Sequence, residues 1–594
     1  MRFGKKCLMA AALCSLASAA WGQVSVPDQY DRVIRYRSEV VAFGVEGFGD
    51  QIDMGSGSLT IVQVDIDLPG NNGLPVRVAR RFVPADKYAG GFAAGSFDLD
   101  LPYAHGIFAY RTGGPLGWTV AGSGPGIYKR CSSFYHPPEI YFQGVIYTPP
   151  EYWHGNFIYI PGVGDQEMLS GSLLAPSDGL SYRSRLKNGA AIRCVPLDAE
   201  TSAPYLGEGF EVVMPDGTIY TLNHMVVRDQ EMMKKRIPAP SPLSSSTMAF
   251  AGSADFTANG AVDFLLPRKE VRLYPTRVRD RFGNFVDYIW DAGALLRIVA
   301  SDGRRIDFAY SSTAAQRVTI TSGTRTWVYG HSGSLEQVTL PDGSKWTYDL
   351  GALRSYELRS GDGCSVTPYV RSAAPPAGTV IAPTGATARF TFANVVMGRS
   401  WVPPGCFYDE ATFEPSYLLE PVGFYRVAVT SKTITGPGLP APLVWSYGYG
   451  PANGCMMTGG AGAGSCTASS PTTRTVTVTD PAGTVTRRTY GNRYASNEGL
   501  LLKTEYGWNG STALSVVENE YGDGLAAPYG AYGGGSVRMR GDTFMTSYQR
   551  PIRRVSTTQQ GRTLIWQVAS DCTGAPYCFD AYARPTKIVK THSP

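Results

Sequence analysis

The nearest approach to a nucleophile in this chain is "GHSGS" at 330–334, where His331 and Ser332 adjoin. A serine on a strained G-x-S-x-G turn would perform acyl transfer, but here the second glycine comes one place early. The segment reads instead as an ordinary loop between strands. "DIDLPGNN", with Asp65, Asp67 and Asn71, has the start of a calcium loop. Pro69 stands where the fifth-position ligand belongs, and strand alternation already accounts for Asp65 and Asp67 as the wet face. The six histidines, at 105, 136, 154, 224, 331 and 592, are scattered singly, with neither H-E-x-x-H nor a close Cys/His pair to hold zinc. Glycine clusters at 122–126 and 459–464 lack the spacing of a nucleotide-binding loop, and no Walker motif occurs. Carboxylates brought together only by folding are a hydrolase's remaining route, and sequence does not locate such a pair. The expectation is a protein that is not an enzyme, with no catalytic residues, no metal site and no cofactor.

What positions these residues is a chain built of strands. Among 594 residues only 17% are charged, while Gly (69), Pro (41), Tyr (35) and Trp (10) are plentiful. That mixture favours many strands joined by tight turns, so the fold class is all-β. The length exceeds what one core usually organises.

The first residues join Arg2, Lys5 and Lys6 to a short apolar run and then small residues, the pattern of a secretory signal over 1–22. No later segment is apolar for long enough to span a bilayer, so no membrane span is expected. Removing the signal takes the formal charge from +5 to +2, which does not call for nucleic acid. The densest basic run, "VRVARR" at 76–81, reads as the solvated face of a strand. Ten cysteines become eight on export, an even number that suits disulfides. Cys455 with Cys466, and Cys572 with Cys578, are close enough to staple local loops; Cys131, Cys194, Cys364 and Cys406 leave several pairings open.

Along the chain, "GSLTIVQVDIDLPGNNGLPVRVARRF" reads as a long hairpin, with Val62, Val64, Ile66 and Leu68 on one side. An N-terminal β-rich domain covers 23–235. Residues 236–266, rich in Pro, Ser, Ala and Gly, read as a linker or surface loop. A zone of repeated hairpins occupies 267–350, and a second β-rich region, 351–594, continues it.

The repeat is visible in register. Trp290, Tyr310, Tyr329 and Tyr348 fall 20, 19 and 19 residues apart. In "SDGRRIDFAY", Ile306, Phe308 and Tyr310 stand three, five and seven places after Gly303; in "PDGSKWTYDL", Trp346, Tyr348 and Leu350 hold the same offsets from Gly343. Tyr220 keeps the first offset from Gly217, and Tyr490 keeps the last from Gly483. A one-residue slip would turn every packed side chain outward, so shared register argues for one unit reused. Asp216, Asp302 and Asp342, each directly before a glycine, read as residues of two-residue hairpin loops. Asp280 and Gly283 in "DRFGN" complete the set of turn residues.

These segments resemble the RHS/YD-repeat family of bacterial secreted proteins. The resemblance rests on "DRFGN", "SDGRRIDFAY" and "PDGSKWTY", on the leading segment at 57–82, and on "KTITGPGLP" with "DPAGTVTRRTYGNRY" as a continuation. It implies an extended spiralling sheet or partial shell, with the tyrosines as packing groups. It also implies a scaffold in toxin delivery or cell contact, exported to the periplasm, cell surface or medium. The family's core-terminating pattern, R-Y-Y-D-P-x-x-G-R-F, and a toxin-like terminal domain are absent. The expected partner is therefore a polypeptide supplying the rest of the shell or a toxin. The alternatives are a surface adhesin whose exposed aromatics bind cell-surface glycan, and a truncated, non-functional family member.

Overall fold

The computed structural model describes residues 23–25, 47–86, 95–110, 129–237 (without 144, 172–174 and 203), 255–256, 262–358 (without 314–315 and 333–334), 373–408, 415–457, 464–538 (without 525 and 530–534) and 548–593. The signal-like segment at 1–22 lies outside them. The protein is almost entirely β. Among the described residues 29 strands belong to one sheet, which is not closed into a barrel.

From Tyr182 to Ser593 the sheet grows mostly by adding each new strand antiparallel to the one before, as tight turns between short alternating segments require. Two longer strands, Ile219–Ile237 and Val262–Arg279, form its spine. At about 3.3 Å per residue the first spans roughly 60 Å, enough to pair with different neighbours at its two ends. One end carries the hairpin series: Glu208–Val213 joins the first spine strand, and Phe285–Asp291 the second. At the other end Tyr103–Ala109 pairs with Val262–Arg279 and leads to Phe157–Ile160 and Gly164–Glu167. Gln23–Ser25 lies parallel to Met232–Lys234, the one parallel pairing among the described strands. The stretch 236–266 thus has both its ends in spine strand, and its middle, 238–254, lies outside the described residues.

A separate four-stranded sheet is built from Asp50–Ile52, Leu59–Leu68, Val76–Phe82 and Asp98–Leu99. Its apolar face packs on the repeat strands and makes one core with them, including Leu59, Ile61, Ile66, Val76, Val78, Val286, Ile306, Val338 and Phe390. A second core lies between the spine and residues 104–212. The leading hairpin therefore shares its core with the repeat zone, and of residues 103–235 Tyr103 and Tyr159 are buried in that core as well.

The hairpin is formed by Leu59–Leu68 and Val76–Phe82, but not with the expected alternation. A bulge between Val64 and Ile66 shifts the register, and an extra residue in one strand reverses the facing of all that precede it. Leu59 and Ile61 point inward before the bulge, Ile66 and Leu68 after it, and Val64 is left exposed.

Candidate functional site

The turns come first, because they set the register of everything else. Among the described residues eight turns, at 186–190, 214–218, 280–284, 300–304, 340–344, 382–386, 480–484 and 580–584, share one hydrogen-bond pattern. The first amide donates to the fifth carbonyl and the fourth amide donates to the first, as in Ala300 N to Arg304 O at 2.9 Å and Gly303 N to Ala300 O at 3.0 Å. This is a three-residue loop, a type I turn closed by a left-handed residue, in place of the two-residue loop expected for Asp-Gly. Gly217, Gly283, Gly303, Gly343 and Gly483 hold that left-handed position, with φ between 83° and 89°. Two-residue loops occur instead at Ala292–Gly293 and Gln560–Gly561, both with positive φ at each residue.

The turn acids have one task performed from two places. Asp216, Asp302 and Asp342, at the third position, accept from the amide of the fifth residue: Thr218, Arg304 and Ser344. Asp280 and Asp480, at the first position, accept from the same fifth amide, Asn284 and Thr484. Side-chain hydrogen bonds from Asn284, Arg304 and Ser344 hold the carboxyls of Asp280, Asp302 and Asp342 below their usual range. The exchange of D-G for D-x-x-G is a change of position within one motif.

Beyond each turn the offsets of three, five and seven place side chains toward the core. Val286, Tyr288 and Trp290 are buried after Gly283, Ile306 and Phe308 after Gly303, and Tyr348 and Leu350 after Gly343. After Gly483 the same places hold Thr486, Arg488 and Tyr490, all buried. Tyr220 is half-buried against both cores. Tyr310 departs from the expected packed row: it is 41% exposed and donates its hydroxyl to the Leu295 carbonyl at 2.9 Å.

Several repeat residues then meet the four-stranded sheet. The bulge that exposes Val64 turns Asp65 inward, onto Arg80: Nε to Oδ2 is 2.5 Å and Nη2 to Oδ1 3.0 Å. Arg80 Nη2 also donates to the Tyr348 hydroxyl at 2.8 Å, and Tyr329 donates to Asp65 Oδ2 at 3.0 Å. The guanidinium lies 4.6 Å from the Phe97 ring centre and 4.9 Å from that of Tyr348. Burial and the Asp65 charge push the Tyr329 hydroxyl well above its ordinary range, so it stays protonated and donates. Two expectations are corrected here. Asp65 is not on the wet face, and "VRVARR" is not a solvated face, because Arg80 is 2% exposed and Arg81 lies 4.0 Å from the Tyr159 ring centre.

Further contacts fasten the small sheet across successive repeats. Arg304 Nη1 donates to the carbonyls of Leu68 and Leu74, and its Nη2 to Asn72 Oδ1, while Asn72 Nδ2 donates to Asp302. Glu336 accepts from the Ser96 amide, Lys432 Nζ is 2.6 Å from Asp50 Oδ2, and the Val429 amide donates to the Gly57 carbonyl. Asp302, Tyr329 and Tyr348 are thus brought to one interface. The other repeat residues act at turn tips or in the core.

The cysteines sit apart from this interface. Disulfides join Cys131 to Cys194, Cys455 to Cys466 and Cys572 to Cys578. Asp571 lies beside Cys572 and Cys578 in a group shaped like a set of metal ligands. Both sulfurs are spent in the disulfide, and Asp571 pairs with Lys587 at 2.5 Å, so the group offers no thiolate to a metal.

No protein-family model matches the chain. No curated protein matches it either. Among solved structures, a crystal structure of TcdB2-TccC3 without hypervariable C-terminal region aligns over 89% of this chain and 27% of that chain, at 9% identity and a TM-score of 0.15. The chain spans about a quarter of that chain's length. A likeness so remote carries no argument about fold or function. No helix among the described residues is long and apolar enough to cross a membrane.

Proposed function

We propose that the protein is an exported, non-enzymatic scaffold of the RHS/YD-repeat type, acting in toxin delivery or cell contact, whose sheet is extended by a partner polypeptide. The observation that supports this reading most is the strand Ile588–Ser593. It pairs on one side with Arg562–Val568, every one of its residues is exposed, and no described strand pairs with its other side. An edge that carries Ile588 and Val589 and has no second partner among the described strands is the template another strand requires.

The test is to purify the mature chain from its host's exported fraction and identify companions by mass spectrometry, beside the double variant Ile588→Lys, Val589→Lys. A stoichiometric companion lost from the variant supports the reading. A wild-type chain that emerges alone and monomeric overturns it.

The adhesin alternative has a narrower base. Trp290, Tyr329, Tyr348 and Tyr490 are buried and cannot stack on a sugar, whereas Tyr135 and Tyr141 are 67% and 63% exposed. A glycan array without hits would remove this alternative.

A further inference from the structure

A second interface between the four-stranded sheet and the spine joins charged groups across buried tyrosine rings. Asp98, on the small sheet, accepts from two spine arginines: Arg228 Nη1 at 2.9 Å from Oδ1 and Arg272 Nη1 at 2.9 Å from Oδ2. Arg272 Nε in turn pairs with Glu270 Oε1 at 2.9 Å. That same carboxylate oxygen faces His105 Nδ1 at 3.3 Å, and the other ring nitrogen, Nε2, lies 3.0 Å from Asp165 Oδ1. Nearby, Arg81 of the small sheet donates to the Tyr103 hydroxyl at 2.8 Å, and Tyr159 donates to Asp100.

Both nitrogens of His105 thus point at carboxylates. A neutral imidazole has one N–H, so it satisfies one of these acceptors and sets a lone pair against the other; the imidazolium satisfies both. Glu270 is shared between His105 and Arg272, so the proton on His105 bears on the arginine that holds Asp98.

We propose that His105 is a proton-controlled clasp between the spine and the N-terminal four-stranded sheet, closed when the imidazole is charged and loosened when it is neutral. The groups facing it are Asp165 from Gly164–Glu167, Glu270 with Arg272 behind it from Val262–Arg279, Phe157 from the neighbouring strand, and Tyr103 from its own. Only the two carboxylates touch its nitrogens among these groups. Burial disfavours the charged ring, but Asp165 and Glu270 outweigh it and lift the pKa above 6.5. A group with a raised folded pKa contributes stability that is complete below the free value and is lost as pH rises through the folded one. Glu270 is held down at about 2, despite its burial, chiefly by Arg272, so it keeps its own charge through mild acid.

The experiment is amide hydrogen exchange of the full mature chain from pH 6 to 9, corrected for intrinsic rates, comparing 76–82 and 98–99 with 552–568 as an internal control. Wild type should lose protection in the small sheet as pH rises, by about tenfold for each unit by which the folded pKa exceeds the free one. In His105→Gln the dependence should vanish. A flat wild-type profile, or a His105→Gln profile that keeps the wild-type slope, overturns the proposal. Because the variant can fail to fold, exchange of the imidazole carbon-bound proton in wild type gives a second reading. An apparent pKa for His105 above 6.5 supports the clasp, and one at or below 6.5 refutes it.

Discussion

Asp65 and Arg80 face each other across the leading hairpin, two hydrogen bonds deep, with the hydroxyls of Tyr329 and Tyr348 completing the ring. Each tyrosine lies more than 260 residues in sequence from the partner it bonds, on the repeat sheet. The pair therefore joins the two sheets as well as the two strands of one.

Removing one charge should expose how much the burial costs. Asp65→Ala leaves Arg80 buried without its main partner, and a loss of about 3–5 kcal/mol is expected. The double variant Asp65→Leu, Arg80→Met should lose much less, because no uncompensated charge remains. Urea denaturation of the three proteins checks this; equal losses in both variants would contradict it.

The eighth turn carries Ala583 at the left-handed position, φ 60°, where the other seven have glycine. Ala583→Gly should stabilise by about 1 kcal/mol through relief of that strain, offset in part by unfolded-state entropy. Gly303→Ala should destabilise by a similar amount of about 1 kcal/mol, since a Cβ there meets nothing within 4 Å and the cost is conformational alone. Thermal melts of both variants should shift in opposite directions.

Arg304 ties the tip of the leading hairpin to a repeat turn through Leu68, Asn72 and Leu74. Arg304→Ala should cost about 1.5–3 kcal/mol, in the range of hydrogen bonds to a charged group, and should speed protease cleavage within 69–73. Gly70→Ala should act on the same contact, because its Cβ would come 2.2 Å from the Arg304 guanidinium carbon. Unchanged cleavage in both variants would show that the tip is held by other means.

His224 gives a pH dependence of the opposite sign to His105. It stacks on Trp290 at 4.5 Å, and burial lowers its pKa to about 4. Between pH 6.5 and 4 the unfolded chain binds a proton that the folded chain refuses, so stability falls as pH falls through that window. At pH 4 the loss approaches about 3 kcal/mol. His224→Gln should flatten this part of the profile in chemical denaturation across pH 4 to 7.

The class of fold and the register of its repeats were legible in the sequence because both are local. A turn acid reaches an amide two or four residues away, a glycine supplies one backbone angle, and alternation follows from the strand itself. So Gly283, Gly303 and Gly343 announce where their strands begin, and the side chains at offsets of three and five turn inward. Even here the loop length escaped, since Asp-Gly serves both two-residue and three-residue loops.

What only the tertiary structure decided lies at the meeting of the two sheets. One inserted residue at Asp65 reverses the facing of the strand before it, and nothing in "TIVQVDIDL" marks the bulge. Arg80 looks like any solvated strand residue until Tyr348 and Phe97 enclose it. His105 reads as one of six scattered histidines until Asp165 and Glu270, 60 and 165 residues later, arrive on its two nitrogens. Charge burial depends on partners that chain folding brings from far away, so sequence pattern determined the strands and turns, while long-range packing determined which ions they hide.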